Sequence, residues 1–189
     1  MPRAGLSLQR VVEAAGDLAD EVGYDHLTLA AVAQHFGVAV PSLYKHIAGL
    51  DELLAALAVE AIATLGERLS TAAEAGPGLR PLAEAYRQFA RSHPGRYAAT
   101  VRAADPSDPA ERAATERVLA TVASVLEQYN LPSDGAMVDT TRAIRSALHG
   151  FVSLEAASGF GLPRDIDLSF HHLVAMLESA LLNPVAASS

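Results

Sequence analysis

Apolar residues recur along this chain at the three- and four-residue spacing of helices, and almost nowhere at the two-residue spacing of strands. Leu8, Val11, Val12, Ala15, Leu18, Ala19 and Val22 form one such stripe. It predicts a first helix over 7–22, stopped by Gly23. Leu29, Val32, Ala33 and Phe36 predict a second over 29–36, capped by Thr28 and ended at Gly37, where the backbone must turn left-handed. Pro41 suits the first turn of a third helix over 41–47, because its missing N–H costs nothing there. In that helix Leu43 and Ile47 face inward, and Ser42, Tyr44, Lys45 and His46 fall on the outer arc. After Gly49, Asp51 and Glu52 favour the start of a long helix over 51–73.

The rest of the chain continues in helical period. Ala75-Gly-Pro-Gly-Leu79 is a loop, 80–92 a helix, and His93-Pro94-Gly95 an interruption before a short helix over 97–103. Asp105-Pro-Ser-Asp-Pro109 breaks the chain again. Helices follow over 110–129, 134–158 and 168–182, and the tail 185–189 is expected to fray. The pattern predicts an all-α fold. A three-helix helix-turn-helix domain occupies 1–50, and a long helix joins it to a bundle within 51–189. The connection is a rigid helix, able to pass movement from one part to the other.

Composition removes several function classes. With 189 residues, half of them apolar, a sizeable core is available. No apolar run is long enough to span a bilayer; Glu60 interrupts the most apolar stretch, 53–65. The first residues lack a basic-then-apolar leader. A soluble, cytoplasmic protein with no membrane segment is therefore expected. The absence of cysteine excludes disulfides and thiolate metal sites. His171 and His172 are adjacent, so they point about 100° apart on a helix and cannot share a metal. His149 stands alone, as a core histidine would. No nucleophile–base spacing, phosphate loop or carboxylate pair is present. No catalytic residue, metal or cofactor is expected.

Charge sharpens the question of nucleic acid. The net charge is −8. Within residues 1–60, Arg3, Arg10 and Lys45 stand against Glu13, Asp17, Asp20, Glu21, Asp25, Asp51, Glu52 and Glu60. A DNA-binding surface here must use a few placed donors, with the acids turned away, and its salt dependence should be shallow. Lys45 is the only lysine in the chain. By itself it could be a solvated helix cation, since lysine is scarce throughout; its weight comes from the whole pattern between Thr28 and Ile47.

The segment from Leu27 to Leu57 resembles the TetR family of bacterial transcriptional regulators. Thr28, Val32, Ala33, Gly37, Val38, Leu43, Tyr44, His46 and Ile47 fit the family pattern at fixed spacing. Phe89-Ala-Arg-Ser-His-Pro-Gly-Arg-Tyr97 and Ala147-Leu-His-Gly-Phe-Val-Ser-Leu-Glu155 are similar to a TetR-type regulatory domain. The chain departs from the pattern at Leu50, where relatives usually carry lysine, at Ala39, where serine or threonine is common, and at Ala30 and Ala31. Each departure removes a potential DNA contact.

The resemblance implies a homodimer that binds a palindromic double-stranded DNA operator as a repressor and is released by a small-molecule effector of unknown identity. Thr28, Tyr44 and His46 would meet phosphates, Lys45 a guanine edge or a phosphate, and Val40, Pro41 and Ser42 a thymine methyl. Thr28 could equally be a helix cap alone, and Tyr44 could pack between helices. Arg3 is either a minor-groove arm or a loose tail. Tyr86, Phe89, His93, Tyr97, Arg102, Val122, Leu126, Met137 and Arg145 are candidates to line an effector cavity, with core packing as the alternative for each. Arg145, expected to be partly buried, needs a partner such as a ligand carboxylate or Glu155. Leu148, Phe151, Val152, Leu173, Met176, Leu177, Ala180 and Leu181 exceed what one modest bundle must bury and suggest a dimer face, with Gly150 allowing close approach. The alternative reading is a helical small-molecule-binding or interaction module with a weakened DNA-binding head.

Overall fold

The computed structural model describes residues 6–102, 105, 107–131 and 134–183. Arg3 and the tail 185–189 lie outside the described residues. Those described form α-helices and short 3-10 turns, with no strand among them. The helices are α1 (Leu8–Val22), α2 (Leu29–Phe36), α3 (Leu50–Ala75), α4 (Leu79–Ser92), α5 (Pro94–Thr100), α6 (Pro109–Leu126), α7 (Asp134–Ala156) and α8 (Ile166–Leu182).

Two compact units result. One comprises Met1–Thr64 and Ser92–Thr115, the other Leu65–Arg91 and Glu116–Ser189. The first unit therefore reaches beyond residue 50, taking in the front of α3, all of α5 and the start of α6.

In the first unit the expected caps are present. Ser7 Oγ accepts from the Arg10 N–H at 3.3 Å and opens α1; Thr28 Oγ1 accepts from the Ala31 N–H at 3.1 Å and opens α2. Gly37, at φ 65°, closes α2 in the left-handed conformation, and its N–H and that of Val38 take up the last carbonyls. The α1 stripe is buried at Val11, Val12, Ala15 and Ala19, but Leu8 and Val22 at its ends are about half exposed. The core they join contains Leu27, Val32, Ala33, Leu43, Ile47, Leu53 and Leu57, with Ala99 supplied by α5.

Two boundaries differ from expectation for one reason. The short helix expected over 97–103 begins instead at Pro94. Proline at the first helical position forfeits no hydrogen bond, so the sequence that interrupts α4 also starts α5. Likewise α6 begins at Pro109.

The second unit is held by long-range caps. The N–H groups of Gly78, Leu79 and Arg80 at the start of α4 donate to Gln128 Oε1 (3.2 Å), Tyr129 Oη (3.0 Å) and Glu178 Oε1 (3.1 Å). Side chains from the 3-10 turn Glu127–Tyr129 after α6 and from α8 thus satisfy the orphan amides of a helix far away in sequence. Phe89, Leu126, Phe170 and Val174 are fully buried here. Asp165 caps α8 by accepting from the Asp167 and Leu168 N–H groups.

Candidate nucleic-acid interface

The segment expected as a third α-helix is a six-residue 3-10 helix, Val40–Lys45. Ser42 N–H donates to the Ala39 carbonyl at 2.8 Å and His46 N–H to the Leu43 carbonyl at 2.8 Å. No side chain caps it. Three residues per turn sort the side chains into rows. Val40, Leu43 and His46 share the inner row: Leu43 is fully buried, and the other two are half-buried. Pro41 and Tyr44 form an exposed row, and Ser42 and Lys45 another, with Lys45 exposed. Tyr44 is 54% exposed. Thr28 is exposed at the N-terminus of α2, its oxygen already capping that helix. Leu43 and Ile47 are both buried, as their spacing predicted.

Glu52 accepts from the Ala48 N–H and so ties the start of α3 to the end of this segment. Arg10 stacks over Phe36 at 5.6 Å. Sequence reasoning placed Glu52 at the start of α3 but gave Arg10 no role.

A polar cluster of the first unit, built around Arg96, was also missed. Arg96, only 8% exposed, projects from α5 onto α1. Its Nη1 lies 2.5 Å from Asp20 Oδ2; Nη2 donates to Asp17 Oδ1 (2.9 Å) and to the Glu13 carbonyl (3.2 Å). Glu60 Oε2 of α3 lies 3.6 Å from Nε. Asp20 Oδ1 also accepts from the Arg96 backbone N–H at 2.9 Å, and Oδ2 lies 3.1 Å from His93 Nδ1. Since His93 offers α5 no side-chain cap, Asp20 of α1 provides one from outside the helix. Burial opposes the Arg96 charge, but the hydrogen bonds to Asp17 and Asp20 outweigh it and hold the guanidinium's pKa above its ordinary value. The signal was present in sequence: Glu13, Asp17 and Asp20 lie on one face of α1 at helical spacing. The cluster also bears on the acidic head, because Asp17, Asp20 and Glu60 are engaged by Arg96 within the unit.

In the second unit the effector candidates separate. Tyr86, Phe89 and Leu126 are buried, and Val122 and Met137 half-buried. His93, Tyr97 and Arg102 belong to the first unit, where Arg102 Nη2 pairs with the buried Glu111 Oε2 at 2.6 Å. Arg145 is exposed, contrary to expectation. Its position on α7 points it to water, and the carboxylate assigned to it serves another arginine. Arg87 Nε and Nη2 donate to Glu155 Oε2 (2.8 Å) and Oε1 (2.5 Å), and Nη2 lies 2.7 Å from Asp167 Oδ1. The same guanidinium sits 4.7 Å from the Phe170 ring centroid and 5.6 Å from that of Phe151. The Glu155 hydrogen bond first, and that to Asp167 after the cost of burial, hold Arg87 above its ordinary pKa.

Asp167 is correspondingly lowered, chiefly by the Arg87 hydrogen bond. A lowered folded pKa contributes stability that is present above the ordinary aspartate value and lost as pH falls through the lowered one. The thermal midpoint of the protein should therefore exceed that of Asp167→Asn at neutral pH, and the gap should close on acidification. A gap independent of pH would contradict this pairing.

Three dimer-face candidates need correction. Leu148, Val152 and Leu181 are 4%, 3% and 5% exposed within a single chain, so they have little surface left to bury. Phe151, Leu173 and Leu177 are half-buried; Phe151 packs on Phe160 and Phe170. Met176 and Ala180 are exposed, and with Leu168 and His172 they make an exposed row at four-residue spacing along α8. Leu154 of α7 is also half exposed, and nothing lies within 4 Å of where a side chain would begin at Gly150.

Comparison with known proteins agrees with this architecture. The family described as "Bacterial regulatory proteins, tetR family" matches residues 6–57, and "Tetracyclin repressor-like, C-terminal domain" matches 79–177. The uncharacterized HTH-type transcriptional regulator YobS of Bacillus subtilis is 32% identical over 184 residues, covering 96% of this chain and 95% of its own. The uncharacterized HTH-type transcriptional regulator Rv0681 of Mycobacterium tuberculosis is 37% identical over 168 residues, covering 87% and 75%. Among solved structures, the TetR family protein ActR of Streptomyces coelicolor in complex with (S)-DNPA shares the fold, with a TM-score of 0.67 at 18% identity over 96% of this chain and 100% of that one. The chain belongs to the TetR family and is a helix-turn-helix transcriptional regulator. Among the described residues, no helix is long and apolar enough to cross a membrane.

Proposed function

We propose that two copies of this chain bind a palindromic double-stranded DNA operator in the cytoplasm and act as a repressor released by a small-molecule effector. One observation carries the reading: Leu43 anchors a short helix whose outer rows present Pro41, Tyr44 and Lys45 to solvent. Thr28 and the N-terminus of α2 add a place for a phosphate. Half-sites recur one helical turn apart on DNA, so a reader this small works as a pair. We assign the second copy to the exposed row Leu168, His172, Met176 and Ala180, with Leu154 and Gly150. We assign the effector to the second unit, among Tyr86, Phe89, Val122, Leu126 and Met137. That ActR, which shares this fold, forms a complex with (S)-DNPA supports a small-molecule effector. For the effector to regulate, it must bind the DNA-competent and DNA-released states with different affinity, and α3, continuous between the units, is the element proposed to carry the change. The reading assigns no catalytic step.

The test is retention of genomic DNA fragments by the purified protein at moderate salt, followed by sequencing. An enriched inverted repeat is expected. No enrichment from a folded dimer would favour a ligand-binding or interaction module with a weakened head, the reading that the acidic head and Leu50 support. On the enriched site, Lys45→Ala should weaken binding by roughly 1–3 kcal/mol if the ammonium reads a base. Unchanged affinity in a titration would remove Lys45 from the interface.

A further inference from the structure

The motif His93-Pro94-Gly95-Arg96 has no part in the proposed operator contacts or effector lining, yet it joins three helices of the first unit through polar contacts. Arg96 is buried and meets Asp17, Asp20 and the Glu13 carbonyl of α1 together with Glu60 of α3. The backbones cross closely here: a side chain at Gly95 would overlap the Ala19 carbonyl of α1, and one at Gly16 would fall 2.5 Å from Arg96 Cζ. The opposite duty of α1 is to hold the reading segment, since its Val11, Val12, Ala15 and Ala19 share a core with Val32 and Leu43. The chain then passes from α5 back through Ser92 into α4 of the second unit.

We propose that this motif is a clamp that fixes the DNA-reading head to α5, with Arg96 as the positioning residue that sets where the two heads of a dimer stand. The proposal rests on the operator-binding reading above. Three covalent crossings join the two units: within α3, at the α4–α5 junction and within α6. With the clamp closed, α3 constrains the head directly and the other two crossings constrain it through α5. With Arg96 gone, Asp17, Asp20 and Glu60 repel one another around a vacated centre, α5 lifts, and α3 alone holds the head. The reading rows of Val40–Lys45 are untouched by this, so half-site preference is retained while half-site spacing loosens. A head with more freedom presents the second reading surface at a lower effective concentration.

The experiment compares the full-length protein with Arg96→Met, Arg96→Lys and Asp17→Asn. The first readout is selection from random DNA, scored for half-site sequence and for half-site spacing. Arg96→Met is expected to enrich the same half-site at a wider range of spacings, with affinity for the intact site down by about tenfold or more and affinity for an isolated half-site unchanged. Arg96→Lys keeps the charge but not the fork that reaches two carboxylates and a carbonyl together, so it should restore affinity only in part. Asp17→Asn removes one exposed partner and should widen spacing more mildly; it serves if Arg96→Met fails to fold. The second readout is amide hydrogen exchange, which needs no DNA. Arg96→Met should speed exchange in α5 and in the C-terminal half of α1 while α2 keeps its protection.

Unaltered spacing in a folded variant overturns the clamp. So does unaltered exchange, or a loss of protection in α2 together with α5, which would mark a purely structural residue. If the unmodified protein enriches no DNA at all, the operator reading fails by itself, and the exchange experiment alone decides whether Arg96 clamps α5 to α1.

Discussion

Gly95→Ala is expected to lower the stability of the protein by about 3 kcal/mol or more, the upper part of the range for overpacking. Most core insertions push against side chains that can rotate away. Here the added methyl meets the carbonyl carbon and oxygen of Ala19 and the backbone nitrogen of Asp20, inside a helix that cannot yield locally. Relief requires α5 to move off α1, which would also open the Arg96 hydrogen bonds to Asp20 and Asp17 and uncover Ala99. Gly16→Ala makes a useful contrast. The atoms nearest its methyl are the end of the Arg96 side chain, at 2.5–2.6 Å, which can shift, so a smaller loss is expected. Urea unfolding followed by circular dichroism measures both. A Gly95→Ala midpoint equal to the parent's would show that the two helices do not cross as closely as described.

Glu155→Ala should cost roughly 3–5 kcal/mol, because it strands a buried charge. Arg87 is 7% exposed, and Glu155 is its bidentate partner. Asp167 remains at 2.7 Å, but its side chain is 62% exposed and supplies one oxygen, so it offsets part of the loss and places the effect toward the lower end. The faces of Phe170 and Phe151 also stay against the guanidinium, without providing the hydrogen bonds that Nε and Nη2 lose. Replacing Arg87 and Glu155 together by apolar residues of similar volume should cost less than Glu155→Ala alone, since no charge is then left unpaired. A thermal melt of the three variants tests this, and a double variant less stable than the single one would contradict it.

Helix periods were legible in the sequence because each depends on residues three and four apart. The stripe Val11, Val12, Ala15, Ala19 and the caps Ser7 and Thr28 are local facts, and the structure keeps them. The end of α2 was legible too, since Gly37 alone can turn at φ 65° without strain. The 3-10 form of Val40–Lys45 was not: apolar spacing does not distinguish three from 3.6 residues per turn over six residues, and Leu43 and Ile47 are buried under either. Of the outer residues expected, Tyr44 and Lys45 are exposed, because one buried leucine was enough to orient the segment; Ser42 is half-buried, and His46 falls instead on the half-buried inner row with Leu43, because three residues per turn bring it there.

Ionic partners were not legible, and the errors share a cause. Arg145 and Arg87 are both arginines on amphipathic helices, and sequence spacing gives no means of choosing which one reaches Glu155. Leu148, Val152 and Leu181 look in sequence like surplus apolar surface, but they are consumed inside one chain, while Met176 and Ala180 stay exposed. Which apolar residues pack within a chain depends on helix crossings, set by contacts between residues far apart in sequence. The sequence by itself determined the all-α class, the helix periods, the turn at Gly37 and the outward face of the reading segment, because these follow from local backbone and side-chain preferences. Only the tertiary structure decided that α5 packs with the head and that Arg96 pairs with α1 and α3, because those pairings become possible only when two glycines let the helices approach.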